Sequence, residues 1–238
     1  MLLCTYQYPK LKTLRLKSDV LNSLDLSKNV ELLELNVTAG QLKTLDVSNN
    51  ACLQYLSCGS CGMTEVDLSE NPELVSLFTR DTPLKSLDLS RNTKLMDLDC
   101  AWNDLKVLDL SHNPALKVLG CSGNPLISLD ISKNTELERL SIGGPFMEGI
   151  DLENNPLLIE LSVLGVNFTD IDLSKNAALQ SVRIHGCNLR GLDLSKQPEL
   201  AYLELWESPL RYLDLSNNKK MRRVECIGSG LECLNLSG

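Results

Sequence analysis

The 238-residue chain carries 31 acidic against 23 basic side chains, a formal net charge of −8, and is 43% hydrophobic but only 4% aromatic. That is enough apolar material for a globular core, built from aliphatic side chains rather than rings. Lys and Arg read as scattered singly, no apolar stretch approaches the ~20 residues of a membrane span, and MLLCTYQYPKLK lacks the layout of an export signal. The composition therefore points away from nucleic acid, membrane insertion and an anionic membrane surface.

Residues 3–20 form a decayed first coil, with Leu11, Leu14 and Leu16 on core positions and Cys4 where later coils place an aspartate. From there LDLS or a close variant sets Asp25, Asp46 and every twenty-first residue to Asp214, with Asn235 next in line. Residues 84–104, LKSLDLSRNTKLMDLDCAWND, and 105–125, LKVLDLSHNPALKVLGCSGNP, show a whole unit without a gap. Places are counted from the first leucine of such a unit. Both halves of a unit end in the apolar–polar alternation of a short strand, so one unit predicts one coil with two short strands. The Asn-Pro, Asn-Thr and Gly-rich stretches between them are turn chemistry.

No single unit buries its own apolar edge, so the coils must stack and hydrogen-bond to one another. About eleven coils at the ~4.8 Å strand spacing predict one β-rich solenoid domain over residues 1–238, roughly 50 Å long. Pro72, Pro114, Pro156 and Pro198 add a weaker period of 42 residues. Residues 231–238, LECLNLSG, stop halfway through a coil, and neither end supplies an evident polar cap, so the chain reads as a segment of something longer.

These units resemble leucine-rich repeats, specifically the bacterial subclass with 21-residue units of the form L-x-x-L-x-C-x-x-N-x-L-x-x-L-D-L-S-x-N. The resemblance covers residues 11–238. It implies a right-handed coil with a parallel sheet on the concave side and short extended segments carrying LDLS on the convex side. It also implies binding of a protein or other macromolecule, and an extracellular or cell-surface setting.

LSCGSCG, residues 56–62, raises the alternative of a redox couple or half a zinc site at Cys58 and Cys61. Cys58 holds the seventeenth place, shared with Cys100, Cys121 and Cys226 and with Leu16, Val37, Ile142, Val163, Ile184 and Leu205 elsewhere. Cys61 holds the twentieth, filled by Asn103 and Asn124 in other coils, where the family bonds the turn backbone. Both therefore read as small buried residues, and the thiols as free. Stacked one coil apart and pointing the same way, Cys100 and Cys121 suit a disulfide poorly.

The aspartate row reads as a structural ladder offset by Ser two residues on, by turn amides and by nearby Lys and Arg; its alternative is calcium binding, for which one carboxylate per coil is too few. Catalysis finds little to use. His112 and His185 lie on different kinds of segment, Asp97 and Asp99 read as a solvated strand face, and the known nucleophile, phosphate-loop and zinc-protease motifs are missing from the sequence. No cofactor or metal is implied.

The variable places are those pointing out from the sheet. They gather Tyr55, Phe78, Arg80 and Trp102 in one cluster and Arg183, His185, Tyr202, Glu204 and Trp206 in another, with Gly120, Ser122, Ser141, Gly143 and Ser162 as a small-residue floor between. Aromatics beside Arg are the composition of binding hot spots. The sequence thus predicts a non-catalytic scaffold whose concave face holds another protein, the overall charge slightly favouring a basic one. The alternatives are a glycan on aromatic platforms, as in an adhesin, and a spacer within a larger surface protein.

Overall fold

Leucine at the fifteenth place and a small apolar residue at the seventeenth put two side chains of each half-pattern on one face, and extended backbone follows from burying that face. The computed structural model describes residues 2–4 and 7–237, and the chain divides into two compact units, Met1–Leu116 and Lys117–Gly238. The first contains β1 (Leu2–Cys4), β2 (Thr13–Lys17), β3 (Ser23–Asp25), β4 (Glu34–Thr38), β5 (Tyr55–Ser57), β6 (Ser76–Phe78) and β7 (Asp97–Asp99). The second contains β8 (Val118–Gly120), β9 (Arg139–Gly143), β10 (Glu160–Leu164), β11 (Ser181–His185), β12 (Tyr202–Trp206), β13 (Tyr212–Asp214), β14 (Arg223–Ile227) and β15 (Cys233–Asn235).

In the first unit β2, β4, β5, β6 and β7 follow one another in a parallel sheet; in the second, β8, β9, β10, β11, β12 and β14 do. The register is one coil throughout: Leu35 faces Leu56, Leu56 faces Leu77, and Leu161 faces Val182. These residues are buried, as are Leu24, Leu26, Leu32 and their repeats, so each coil encloses its own slice of an aliphatic core. This is the β-solenoid of 21-residue coils that the repeat predicts, and no helix occurs among the described residues. The decayed first coil keeps the register as well, with Cys4 paired to Asp25.

The two-strand coil needs correction. Among the described residues a ladder forms on the LDLS side only between β1 and β3 and between β13 and β15, and each of these strands stops at the residue in the aspartate place. Each aspartate Oδ1 accepts the N–H of the residue two places on, from 3.0 Å at Asp25 to 2.8 Å at Asp193, so these segments end where the side chain closes the turn.

A second polar row holds the coils together from within. Asn50, Asn71, Asn92, Asn155 and Asn176 at the ninth place are fully buried. The Asn71 amide donates to the carbonyls of Val47 and Asn50 of the preceding coil, both at 3.0 Å, and Asn176 treats Leu152 and Asn155 in the same way. Gln197 substitutes in one coil, reaching the Leu173 carbonyl at 2.7 Å.

The aspartate row makes stability depend on pH. Bonds from the following serine, its backbone N–H first, hold the carboxyls of Asp25, Asp67, Asp88, Asp109, Asp172 and Asp193 below the usual range. At Asp46 and Asp214 the serine hydroxyl contributes most. A depressed folded-state pKa stabilises above the unfolded value of about 3.9 and is lost as pH falls through the folded value. The melting temperature should therefore hold steady above about pH 5 and fall progressively below about pH 4. A melting temperature unchanged down to about pH 2.5 would show that the row contributes nothing.

Candidate functional site

The outward places of the sheet carry the candidate residues, and each unit brings its own set together. In the first unit Tyr55 opens β5 and Phe78 closes β6; their rings tilt against each other with centroids 5.4 Å apart. Arg80 reaches across to the next coil, where Nη1 donates to Asp99 Oδ2 at 3.3 Å. Asp97 is engaged as well, accepting from Ser76 Oγ at 3.0 Å, so Asp97 and Asp99 are tied into neighbouring coils rather than left as a free carboxylate pair.

Trp102 stands at the nineteenth place, 57% exposed, with φ of +57°. That place is where the backbone turns left-handed. Gly123, Gly165, Gly186 and Gly228 serve it in the second unit, while Ser60, Asp81 and Trp102 serve it in the first and Glu207 in the second. A bulky residue there is strained and must be held by its surroundings. Asn103 does the holding: its amide donates to the carbonyls of Thr79 (2.9 Å) and Cys100 (3.0 Å), and its Oδ1 accepts the Leu84 N–H at 3.0 Å.

In the second unit the cluster sits on β11, β12 and β14. Register places Arg183 opposite Glu204 and His185 opposite Trp206, then Glu204 opposite Glu225 and Trp206 opposite Ile227. His185 and Trp206 stack flat, with centroids 4.3 Å apart and planes within 5°. Glu204 lies 3.6 Å from Arg183 Nε and 3.5 Å from His185 Nε2. The facing Glu225 is balanced by Arg223, whose Nε donates to it at 2.8 Å. Tyr202 stands 43% exposed at the start of β12. The Trp206 Nε1 is shielded from solvent and makes no hydrogen bond within the described chain.

The small-residue floor is only partly a surface. Gly120, Ser141 and Ser162 are half-exposed, whereas Ser122 and Gly143 are buried. At Gly143 the reason is close approach: a Cβ would lie 2.4 Å from the Leu164 carbonyl oxygen of the next coil.

Cys58 and Cys61 are core residues. Burial pushes both thiols up, Cys58 well beyond the normal range, and the neighbouring Cys61 adds to the effect there. A redox couple or zinc ligand needs the thiolate, which these surroundings oppose. Cys61 Sγ instead faces the Val37 carbonyl at 3.7 Å, as Cys187 at the same place faces the His185 carbonyl at 3.4 Å. Thr79 takes the seventeenth place in one coil with its hydroxyl buried, a polar exception that the apolar reading of the row passed over. Among the described residues no three His, Cys, Asp or Glu side chains are grouped to hold a metal ion. His112 lies beside Ser111, with Nδ1 3.1 Å from the hydroxyl oxygen.

One feature escaped the sequence reading. Residues 219–223, KKMRR, put four cations into five positions, contrary to the impression of singly scattered charge. The run leads into β14 beside Tyr202, and charge counted in windows rather than along coil rows would have found it.

No family model matches the chain, and no curated protein does. Solved structures match over nearly its whole length. The functional domain of InlJ from Listeria monocytogenes, which includes a cysteine ladder, is 26% identical with a TM-score of 0.67, over 94% of this chain and 60% of that one. The chain thus spans less than two thirds of that domain. The leucine-rich-repeat protein LIC12759 of Leptospira interrogans is 18% identical with a TM-score of 0.73, over 94% and 68% of the two chains. The internalin InlF of Listeria monocytogenes is 17% identical with a TM-score of 0.71, over 97% and 82%. The chain thus has the fold of these bacterial leucine-rich-repeat structures, a solenoid of 21-residue coils, and carries cysteine at the seventeenth place of several of them.

Proposed function

We propose that the chain is a non-catalytic recognition scaffold that holds another protein on the outer face of its parallel sheet. The observation that carries this reading is the His185–Trp206 stack beside Glu204, on a strand that Tyr202 opens, displayed on consecutive coils in fixed register. Strands pinned on both sides lose little conformational entropy on binding, and a stacked indole with a flanking Arg–Glu pair is hot-spot chemistry. The shielded Trp206 N–H adds a donor that an incoming acceptor would satisfy once side chains shift.

The fold by itself does not choose a partner class. Structures of this fold include the plant peptide hormone receptor RGFR1 in complex with RGF2 and TLR13 in complex with ssRNA13. Here the net charge of −8 and the carboxylates within the second cluster favour protein over a phosphate backbone. A glycan track along the small-residue floor is weakened by the burial of Ser122 and Gly143.

Affinity capture from cell and matrix extracts tests the reading, with wild type beside a Tyr202→Ala/Trp206→Ala variant whose strand content is verified by circular dichroism. Wild type should retain a protein that the variant loses, a drop of about thirtyfold or more in affinity for a pair of hot-spot residues. If both retain the same proteins, or neither retains any, the sheet-face site is wrong and the spacer alternative takes its place.

A further inference from the structure

The charge of the chain reverses at the edge where β12 and β14 begin. An open groove of about 550 Å³ lies there, with Tyr202 and Met221 as walls, Gln180 and Glu199 at its side, and Lys219, Lys220 and Arg222 along its rim. Of the four cations in residues 219–223, two are spoken for: Lys220 pairs with Glu199 of the preceding coil and Arg223 with Glu225. Lys219 and Arg222 are exposed and form no ion pair or side-chain hydrogen bond among the described residues. A chain with eight more acidic than basic groups thus leaves two unpaired cations on the rim of one groove that also offers the Tyr202 and Met221 side chains.

We propose that this groove binds an extended acidic peptide segment, its carboxylates on Lys219 and Arg222 and an apolar side chain between Tyr202 and Met221. The proposal rests on the protein-binding reading and names the chemistry of the partner segment. The guanidinium of Arg222 offers a planar fork matched to a carboxylate, while Lys219 acts as a point charge beside it. The exposed Gln180 amide can meet a peptide group of the guest. The same surroundings disfavour a uniformly charged polyanion: Glu199 lines the groove, paired with Lys220, and Glu204 and Glu225 lie on the adjoining strands, so a chain bearing a negative charge at every unit would run onto them. A peptide with one or two carboxylates can set them on Lys219 and Arg222 alone.

The test uses the full chain with its methionine methyl groups labelled, followed by NMR during titration with three probes. These are the peptide acetyl-Glu-Leu-Asp-amide, its Gln/Asn counterpart, and a heparin oligosaccharide. The acidic peptide should shift the Met221 methyl signal saturably, and added salt should weaken the effect because the rim is open to solvent. A Lys219→Gln/Arg222→Gln variant should bind it at least about tenfold more weakly, and the neutral peptide should leave the signal unmoved. The proposal is overturned if the acidic peptide gives no saturable shift, if the variant binds it as wild type does, or if heparin moves Met221 at lower concentration, the last result assigning the groove to a polyanion.

The capture experiment separates this proposal from the one beneath it. If a Trp206→Ala variant loses the captured protein and Lys219→Gln/Arg222→Gln retains it, the sheet-face scaffold stands and the acidic-segment proposal falls. If neither variant loses it, both fall.

Discussion

Replacing Phe168 by alanine should destabilise the second unit by about 3–5 kcal/mol. Phe168 is 1% exposed and is the largest of the fully buried side chains. It stands at the first place of its coil, where the neighbouring coils have Met147 and Leu189, both buried. A ring in that place fills a slice of core bounded by backbone, since β10, β11 and β12 on consecutive coils are tied together residue by residue. The coils cannot close over the hole without breaking that register, so the cavity persists and adds to the lost burial. Because each coil touches only its neighbours, the deficit concentrates at one junction, and the unfolding transition should broaden as well as shift. Denaturant unfolding followed by circular dichroism measures both. Phe168→Leu, which keeps most of the volume, should lose much less; equal losses for the two variants would mean that the cavity argument is wrong.

Trp102→Gly should do the reverse in the first unit, stabilising it by about 1 kcal/mol. A non-glycine residue in the left-handed region costs roughly 1–2 kcal/mol, of which glycine gives back about 0.5 through the entropy of the unfolded chain. Little packing is lost, since the indole is 57% exposed. The turn itself is secured by Asn103 rather than by the indole. If Trp102 belongs to the recognition surface with Tyr55, Phe78 and Arg80, the same variant should bind the captured protein more weakly while melting higher. Thermal unfolding and a binding isotherm on one preparation check the two halves. A variant that melts lower would show that the indole contributes more by contact than its backbone costs.

The fold was legible because the repeat is strict. With leucine or valine at the fifteenth place in every coil, the position, direction and register of the sheet strands follow from periodicity alone, as the Leu35–Leu56–Leu77 alignment shows. What the period could not show was the outcome of a competition within one residue type. Aspartate in LDLS suits an extended segment and a side-chain-closed turn alike; the coils close the turn, onto Ser27, Ser48 and their successors, and among the described residues a second ladder accompanies it only at β1–β3 and β13–β15.

The membership of the two clusters was legible for the same reason as the strands, since outward places follow from alternation. Their internal geometry was not: nothing in the spacing of His185 and Trp206 says that the rings lie flat on each other. Gly143 looked like open floor because its row is outward, and only the carbonyl of Leu164 in the next coil fills that space. The strain at Trp102 was hidden too, because the left-handed place is served by glycine in some coils and by Ser60, Asp81 or Glu207 in others.

The sameness of the coils has a consequence for how the chain avoids pairing with the wrong copy of itself. Leu56 would fit against Leu35, Leu77 or Leu98 almost equally well, and the buried Asn50, Asn71 and Asn92 repeat the same donors and acceptors at the same height. Shape and hydrogen bonding therefore say little about which coil belongs next. The distinction falls to the tether: a coil joined to its neighbour by a short turn is present there at an effective concentration on the order of millimolar, far above that of any coil on another molecule in dilute solution. Correct assembly is then a matter of local supply rather than of recognition. At high concentration, or when several chains emerge close together, that advantage shrinks, and exchange of whole coils between copies becomes the characteristic error of this architecture.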